Sequence, residues 1–299
     1  MIKVKFKSGF ITIIGRPNVG KSTLLNHIIG EKISIISDKP QTTRNKIQFI
    51  HTTEKSQMIF VDTPGIHKPK NKLGEFMNKE VSLALEDMDV LIWVVDDSME
   101  IGPGDSRILK KLEGINIPKI LVINKIDKLS NENVKKLIEK FEKRHDFKYI
   151  VPISAKVGKN IDTLIESIES LLPEGPKYYP EDMITDQQER IIVSEIVREK
   201  TLRYLDQEIP HGIAVETTMM KEREDKNIID IHSTIYCEKD SHKGIIIGKG
   251  GRKLKGIGKS AREDIEKFLD TKVNLQLWVK VNKNWREKEN LVKRMGYKR

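Results

Sequence analysis

Cysteine is almost absent from this sequence. Cys237 is the single cysteine among 299 residues, which excludes an intrachain disulfide and a cysteine-based zinc cluster. No apolar run approaches the ~18 residues that a membrane span requires, and Val90–Val95 is the longest. The N-terminal segment is too short and too charged for a signal peptide. We therefore predict a cytoplasmic globular protein in which Cys237 is a small buried hydrophobe.

Acidic residues are scarce at the C-terminal end, where positive charge accumulates. Residues 239–299 contain 18 Lys/Arg and 7 Asp/Glu, a net charge of +11, while the whole chain has a net charge of +10. The preceding residues therefore sum to about −1. Localised positive charge predicts a polyanionic partner, either nucleic acid or an anionic membrane surface.

A glycine-bounded loop follows the first predicted strand. It reads Gly15-Arg16-Pro17-Asn18-Val19-Gly20-Lys21-Ser22 and matches G-x-x-x-x-G-K-[ST] at every fixed position. Because it lies between a strand and a helix, the match predicts a phosphate-binding P-loop. Backbone N–H groups would face the phosphates, Lys21 would reach the β- and γ-phosphates, and Ser22 would ligate Mg²⁺.

Three further motifs occur at the ends of later strands. Asp62-Thr63-Pro64-Gly65 reads D-x-x-G, which places a carboxylate near Mg²⁺ and a backbone N–H near the γ-phosphate. Asn124-Lys125-Ile126-Asp127 reads N-K-x-D, and its last carboxylate selects guanine because it accepts from the base N1–H and amine. Ser154-Ala155-Lys156 would close over the guanine carbonyl.

A switch segment lies between the P-loop and D-x-x-G. Either Thr42 or Thr43 is a candidate Mg²⁺ ligand that binds only when the γ-phosphate is present, and we favour Thr43. Ile66 stands where many GTPases have a glutamine that orients the attacking water, so hydrolysis needs another group to assist it. Asn18 is a candidate ligand for K⁺, although it equally fits a role in shaping the loop. We expect a low intrinsic rate of GTP hydrolysis.

The predicted site residues fall into three groups. The nucleotide contacts are Gly15, Arg16, Pro17, Asn18, Val19, Gly20, Lys21, Ser22, Thr23, Asp62, Thr63, Pro64, Gly65, Ile66, Asn124, Lys125, Asp127, Ser154, Ala155 and Lys156. The catalytic residues are Lys21, Asn18, Gly65 and Thr43, and the Mg²⁺ ligands are Ser22, Thr43 and Asp62. The expected ligands are GTP or GDP with Mg²⁺.

Strands and helices alternate through the first part of the chain. The predicted strands are Phe10–Gly15, Lys46–His51, Met58–Asp62, Val90–Asp96, Lys119–Asn124 and Tyr149–Ile153. The predicted helices are Lys21–Ile29, Gly74–Glu86, Asp105–Leu112, Asn131–His145 and Ile161–Leu171. Alternation with continuous apolar strands predicts an α/β domain, residues 1–175, with a mostly parallel six-stranded sheet and helices on both faces.

A proline-rich linker and an α+β domain are predicted to follow. Three prolines between residues 173 and 180 indicate an inter-domain linker, with the linker itself at 176–185 and the second domain at 186–299. That domain's predicted elements are helix Asp186–Leu205, strands Gly212–Met220 and Ile228–Cys237, helix Lys253–Leu269, strand Lys272–Val281 and a basic helix from Trp285.

The second domain contains a G-x-x-G loop, Gly248-Lys249-Gly250-Gly251, after an isoleucine run and before a helix. Such a loop clamps the backbone of about four nucleotides in a KH domain. The predicted RNA-binding residues are Ile247, Gly248, Lys249, Gly250, Gly251, Arg252, Lys253 and Lys255. The isoleucines at 245–247 fit either the floor of an RNA-binding groove or the hydrophobic core, and we expect at least two of them in the core. Trp285 fits either stacking on a base or packing against the last helix. The tail at 294–299 is expected to fray.

The motifs resemble those of translation-factor-related P-loop GTPases. Three segments resemble those of the Era family in sequence: the P-loop, Pro-Gln-Thr-Thr-Arg at 40–44 and Asp-Thr-Pro-Gly-Ile-His at 62–67. The order helix-strand-strand-helix-helix-strand of the second domain also resembles that family, which has a type II KH domain. The resemblance implies a bacterial GTPase that binds small-subunit (16S) ribosomal RNA and assists assembly of the small ribosomal subunit. We expect a monomer, with peripheral contact at the inner face of the cell membrane compatible with this function.

Two other functions compete with this prediction. A GTPase subunit of an RNA-modifying enzyme would need a nucleophile or cofactor site, and Cys237 has no activating base nearby in the sequence. A membrane-surface regulatory GTPase would use the basic tail on anionic lipid, yet the sequence has no lipidation signal or hydrophobic anchor.

Overall fold

The computed structural model of the protein describes residues 5–35, 42–66, 69–205, 209–224, 226–295 and 297. Contacts between Cα atoms divide these residues into two compact units. The first comprises the described residues within Met1–Glu31, Thr43–Lys68 and Met77–Asp186; the second comprises those within Lys32–Thr42, Pro69–Phe76 and Gln187–Arg299. Pro40 and Gln41 of the predicted switch motif, and His67 of the D-x-x-G segment, lie outside the described residues.

Strands and helices alternate from Lys7 to Leu171. The strands are β1 (Lys7–Gly15), β2 (Ile47–Thr52), β3 (Ser56–Asp62), β4 (Val90–Val95), β5 (Lys119–Ile123) and β6 (Tyr149–Pro152). The helices are α1 (Lys21–Ile29), α2 (Lys72–Ala84), α3 (Pro103–Leu112), α4 (Asn131–Glu142) and α5 (Ile161–Leu171). Each of the six predicted strands and five predicted helices is present, and the differences are confined to their ends.

The six strands form one sheet in the order β2-β3-β1-β4-β5-β6. Every neighbouring pair is parallel except β2 and β3, which are antiparallel. Every residue of β3 and of β4 is buried, as expected for strands covered on both faces. Trp93 on β4 packs edge-on against Phe141 of α4, with ring centroids 5.3 Å apart, in the core on one face of the sheet. The predicted α/β fold is confirmed. Because the strands are parallel, their carboxyl ends meet at one edge, where P-loop, D-x-x-G and N-K-x-D all begin.

The second unit contains a mixed three-stranded sheet. Its elements are α6 (Glu189–Arg203), β7 (Ala214–Arg223), β8 (Lys226–Cys237), α7 (Asp240–Ile247), α8 (Arg252–Phe268), β9 (Lys272–Val281) and α9 (Glu289–Arg294). The strand order is β7-β8-β9, with β7 antiparallel and β9 parallel to β8. The isoleucine run before the G-x-x-G loop belongs to helix α7, whose bounds the sequence did not indicate because the segment is short and contains Gly244.

The segment predicted to be a linker is tied to the first unit instead. Residues 173–186, hereafter the strap, run beside β1, β3 and β2. The Ser8 N–H donates to the Pro173 carbonyl at 3.1 Å, and the side-chain oxygen of Gln57 accepts from the N–H groups of Tyr178 and Tyr179 at 2.7 and 3.0 Å. The prolines therefore end α5 and hold the strap extended, but they do not make it a free tether.

Trp285 is a core residue of the second unit. It is fully buried, its indole N–H donates to the Gly212 carbonyl at 2.9 Å, and its ring stacks on Tyr297 with centroids 5.8 Å apart. Of the two roles considered for Trp285, packing within the protein is therefore confirmed, and stacking on an RNA base is excluded because the ring is buried. The expectation of a frayed tail is wrong at Met295 and Tyr297, which are both buried, because Trp285 gives Tyr297 an aromatic partner. Gly296 and residues 298–299 lie outside the described residues.

Candidate functional site

The P-loop connects β1 to α1 and approaches two other loops closely. Gly20 has φ 102°, and a Cβ atom there would lie 2.2 Å from the amide nitrogen of Asn124. A Cβ atom on Gly65 would lie 2.9 Å from the backbone nitrogen of Pro17. Glycine is therefore needed at both positions, because neighbouring loops occupy the space that a side chain would take. This close packing brings three of the four predicted motifs to one edge of the sheet.

Lys21 is buried at the centre of the loop. Its ammonium donates to the carbonyl oxygens of Gly15 at 3.3 Å and Arg16 at 3.1 Å. Burial lowers the pKa of Lys21 to about 8, against the opposing effect of the Asp62 charge. An ammonium that is costly to bury is a group that an approaching phosphate would stabilise.

Three side-chain oxygens converge next to Lys21. The Ser22 hydroxyl donates to Oδ2 of Asp62 at 2.9 Å and lies 3.1 Å from the Thr43 hydroxyl, which is 3.4 Å from the same Asp62 oxygen. Hydroxyl and carboxylate oxygens are ligands that Mg²⁺ prefers, so the residues fit this ion. Of the two candidate threonines, Thr43 has the hydroxyl in the cluster, while the Thr42 carbonyl accepts from Arg198.

Asn124 fastens the base-selecting loop to its neighbours. Its amide nitrogen donates to the Val19 carbonyl at 2.8 Å, and its side-chain oxygen accepts from the N–H groups of Lys125 at 2.8 Å and Ala155 at 3.0 Å. One side chain thus joins the P-loop, N-K-x-D and Ser154-Ala155-Lys156. This linking role was not evident from the motif alone.

Asp127 lies at the open side of the same loop. The Ser154 hydroxyl donates to its Oδ1 at 2.5 Å and lowers the pKa of the Asp127 carboxyl. The hydrogen bond thus favours the ionised carboxylate, which is the form that accepts two guanine N–H groups. Lys125 has φ 65°, and its ammonium donates to the Asn18 carbonyl at 2.9 Å, so its stem crosses from the base loop to the P-loop.

Arg16 anchors the P-loop through two carboxylates that lie outside the sequence motifs. Its guanidinium bonds to Asp96 at 2.7 Å and to Asp105 at 2.8 Å. Asp96 also lies 3.4 Å from the Lys125 ammonium. For Asp96, the signal in the sequence was the pair Asp96-Asp97, which directly follows the apolar strand β4. The contacts of Arg16 are thus with protein carboxylates, and its predicted contact with nucleotide stays a prediction.

Ile66 contributes no polar group to the site. Its N–H donates to the Gly15 carbonyl at 3.4 Å, and its half-buried side chain packs against the core cluster around Trp93. Asn18 adopts the left-handed conformation with φ 64°. The backbone of the P-loop therefore turns sharply at the residue that we consider a K⁺ ligand.

The G-x-x-G loop joins α7 to α8 with three glycines in the left-handed region. Gly248, Gly250 and Gly251 have φ values of 72°, 59° and 73°. Cβ atoms on Gly250 and Gly251 would meet nothing within 4 Å, whereas one on Gly248 would lie 2.7 Å from Cβ of Lys253. The loop is therefore open on the side of Gly250, where a nucleic-acid backbone can approach closely.

A groove of about 770 Å³ extends from this loop between α8 and β9. Its apolar floor comes from strand β9 and from Leu254, and its rim carries cations from α8; the residues concerned are Arg252, Leu254, Lys255, Lys259, Arg262, Leu275 and Leu277. An apolar floor with a basic rim suits single-stranded RNA. This feature was predicted from the loop and the charge, although the contribution of β9 was not.

The isoleucine run is divided between core and surface. Ile246 is fully buried, Ile245 is 43% exposed and Ile247 is half-buried. One of the three is a core residue, not two as expected, because one face of the short helix α7 points inward. None of them lines the described groove, so the RNA contact of Ile247 stays a prediction.

Comparisons with known proteins match both parts of the chain to known families. Residues 10–125 match the family described as 50S ribosome-binding GTPase, and residues 208–286 match the KH domain. The chain is 64% identical to GTPase Era of Alkaliphilus oremlandii over 98% of this chain and 99% of that protein. It is 59% identical to GTPase Era of Clostridioides difficile, over 98% and 99% of the two chains.

A solved structure has the same fold over nearly the whole length. It is Era in complex with MgGDPNP and nucleotides 1506–1542 of 16S ribosomal RNA, with a TM-score of 0.95, 42% identity, and coverage of 98% of this chain and 99% of that one. Fold and sites thus define a P-loop GTPase with a C-terminal KH domain, an enzyme that hydrolyses GTP. More narrowly, the chain belongs to the Era family of GTPases. No helix among the described residues is long and apolar enough to cross a membrane.

Proposed function

We propose that this protein is a GTP-dependent switch that binds 16S ribosomal RNA and assists assembly of the small ribosomal subunit. One observation carries the proposal: a structure that is 42% identical over 98% of this chain contains both MgGDPNP and a 16S ribosomal RNA segment. This chain has a residue set for each ligand, the cluster around Lys21 and the groove beside Gly250. GTP, GDP and Mg²⁺ are therefore its proposed ligands.

In the proposed mechanism, Lys21 neutralises charge that develops between the β- and γ-phosphates, and the glycine-bounded loop directs backbone N–H groups at them. Ser22, Thr43 and Asp62 would hold Mg²⁺, which supplies positive charge to the phosphates when bound. Thr43 is the member of this set from the switch segment, so its engagement reports the γ-phosphate. Asp127 selects guanine, and the hydrogen bond from Ser154 orients its carboxylate.

The absence of a polar side chain at Ile66 bears on the rate. Water has no glutamine partner there, so intrinsic hydrolysis is expected to be as slow as that of unassisted GTPases, ~10⁻⁴–10⁻² s⁻¹. Slow hydrolysis suits a switch, because the GTP-bound state then lasts long enough for one assembly step.

The same features bear on the location of the protein and on one competing function. We propose a monomer in the cytoplasm, with peripheral contact at the inner face of the cell membrane through basic residues of the second unit. The alternative of an RNA-modification subunit loses support from Cys237, which is buried and whose pKa burial raises to about 11. A thiol of this kind is mostly protonated at neutral pH and is a poor nucleophile.

RNA binding tests the proposed function directly. The full chain, loaded with a non-hydrolysable GTP analogue, is titrated against an RNA copy of nucleotides 1506–1542 of 16S ribosomal RNA. We expect this RNA to bind at least tenfold more tightly than a shuffled RNA of equal length and composition, since non-specific phosphate contacts are the same for both. Equal affinities would contradict 16S recognition and leave only general polyanion binding.

Potassium dependence tests the proposed role of Asn18. Replacing NaCl with KCl at equal ionic strength should raise the rate of GTP hydrolysis about tenfold or more, because a cation beside the β- and γ-phosphates would stabilise charge in the transition state. Phosphate release at saturating GTP measures the rate.

Asn18→Ala is expected to remove the difference between the two salts while GTP still binds. Asn26→Ala on α1 serves as the matched control, and its rates should retain the potassium effect. Equal rates of the unmodified protein in both salts would disprove the cation role and leave Asn18 as a loop-shaping residue.

A further inference from the structure

The three-stranded sheet of the second unit has one face away from its helices. Side chains alternate along β9, so Leu275 and Leu277 face the groove while Gln276 and Trp278 point to the opposite side. Trp278 is 42% exposed, whereas the other two tryptophans, Trp93 and Trp285, are fully buried. A single exposed aromatic side chain is ordinary, so the question is whether Trp278 belongs to a larger surface patch.

Trp278 is part of a small aromatic surface. The His232 ring on β8 meets its ring edge-on, with centroids 5.0 Å apart. Strand register places Met219 of β7 opposite His232, so the surface continues across the sheet. We call the set Met219, Lys221, His232, Gln276, Trp278 and Lys280 the Trp278 face.

Charge on this face favours an anionic partner. Lys221 and Lys280 are exposed at its borders, and β9 contains no Asp or Glu. Among the described residues, two carboxylates lie on this face, and both already have partners. Asp230, the register partner of Lys221, is held by Arg223 at 2.7 Å and by Asn274 at 2.7 Å, and Glu216 accepts from the Tyr236 hydroxyl at 2.9 Å. The cations at the border therefore stay available to phosphates, and the aromatic centre stays available to bases.

The position of β9 connects this face to the groove. β9 is the last strand in the order β7-β8-β9, so among the described residues no strand covers its outer side. Leu277 and Trp278 are consecutive, one on each side of a single layer. An RNA strand that leaves the groove over the β9 edge therefore reaches Trp278 within a few nucleotides.

We propose that the Trp278 face is a second RNA-binding site, on which an unpaired base stacks against Trp278 after the strand has passed around β9. The inference rests on the proposed RNA-binding function and extends it from the G-x-x-G groove to the opposite face of the sheet. Stacking on exposed aromatic rings with flanking cations is how many proteins bind single-stranded nucleic acid with little sequence preference.

Tryptophan fluorescence tests the proposal, because Trp278 is the exposed tryptophan. The probes are the RNA copy of nucleotides 1506–1542 and nested fragments of about five and about fifteen nucleotides, tiled along it. Fragments that fill only the groove should leave acrylamide quenching unchanged. Longer fragments should quench Trp278 directly and protect it from acrylamide, and Trp278→Phe should lack both effects.

Affinity provides the second measurement. Trp278→Ala should weaken the longer fragments by roughly 5- to 150-fold, the range for loss of one base–aromatic stack, and leave the five-nucleotide fragments unchanged. Tyr149→Ala, which removes an exposed aromatic from β6, is the matched control and should bind all fragments normally. GTP binding and the unfolding temperature check that both variants are folded.

The outcomes separate this inference from the proposed function. If the longer RNA binds tightly and depends on Gly250 but leaves Trp278 fluorescence and the Trp278→Ala affinity unchanged, the second site does not exist and the groove alone binds RNA. If no fragment binds at all, the RNA-binding function itself fails.

Discussion

Replacing Asp127 with asparagine is expected to convert the nucleotide preference from guanine to xanthine. The carboxylate accepts hydrogen bonds from two guanine N–H groups. The asparagine amide has only one oxygen, so its NH₂ group would face one of these N–H groups, and two donors cannot form a hydrogen bond. Loss of charge-assisted hydrogen bonds should weaken GTP by roughly 100- to 1,000-fold. Xanthine carries a carbonyl where guanine carries the amine, so the amide should restore binding of XTP.

Competition between GTP and XTP, measured for the unmodified protein and for Asp127→Asn, gives the nucleotide preference of each. The geometry makes asparagine a mild substitution, because its oxygen can still accept from the Ser154 hydroxyl. Ser154→Ala is the control: it should weaken GTP without creating a preference for XTP, since the carboxylate remains. An Asp127→Asn protein that still prefers GTP would show that Asp127 does not contact the base.

Introducing aspartate at Gly250 is expected to abolish specific RNA binding while the protein stays folded. A Cβ atom at this position meets nothing within 4 Å, and aspartate tolerates the left-handed conformation better than most residues. The new side chain would stand where a phosphate approaches and would repel it. We expect a loss of roughly 100-fold or more in affinity, measured by titration of single-stranded RNA at several salt concentrations.

Two sets of variants separate close backbone approach from charge. Gly250→Asn has the same bulk without the charge and should lose less affinity than Gly250→Asp. Lys253→Gln with Lys255→Gln should weaken all RNAs alike and flatten the salt dependence by about one unit for each phosphate that the protein no longer neutralises. GTP binding should survive in every case. Normal RNA binding by folded Gly250→Asp would refute the KH interpretation of the loop.

The sequence allowed the nucleotide site to be predicted because its chemistry is local. P-loop, D-x-x-G and N-K-x-D are each contiguous, and parallel strands bring their ends together without further information. What could not be predicted depends on distant pairs. Asp96 and Asp105 hold Arg16 from 80 and 89 residues away, and no short pattern records such a partnership.

The same reason explains the errors in the second domain. The tail at 294–299 was expected to fray because chain ends usually do, and the sequence left the role of Trp285 open, yet the buried rings of Trp285 and Tyr297 stack on each other. At least two residues of the isoleucine run 245–247 were expected in the core because isoleucine usually is, but a helix of eight residues has only one inward face and buries Ile246 alone of the three. The resemblance implied a helix before the G-x-x-G loop, but the bounds of α7 were not predicted because the helix is short and contains Gly244.

The strap has a consequence for self-association. β2 is the outermost strand of the large sheet, and an uncovered outer strand is a template on which other chains can pair. Here the Ile50 N–H donates to the Ile184 carbonyl at 3.0 Å, and the Thr185 hydroxyl donates to the Gln48 carbonyl at 2.7 Å. The opposite outer strand, β6, is short and ends in Pro152, which lacks an N–H. The strap thus protects the first unit from aggregation through its edge, and a fragment that ended at Leu172 would lose this protection, whereas one that ended at Asp186 would keep it.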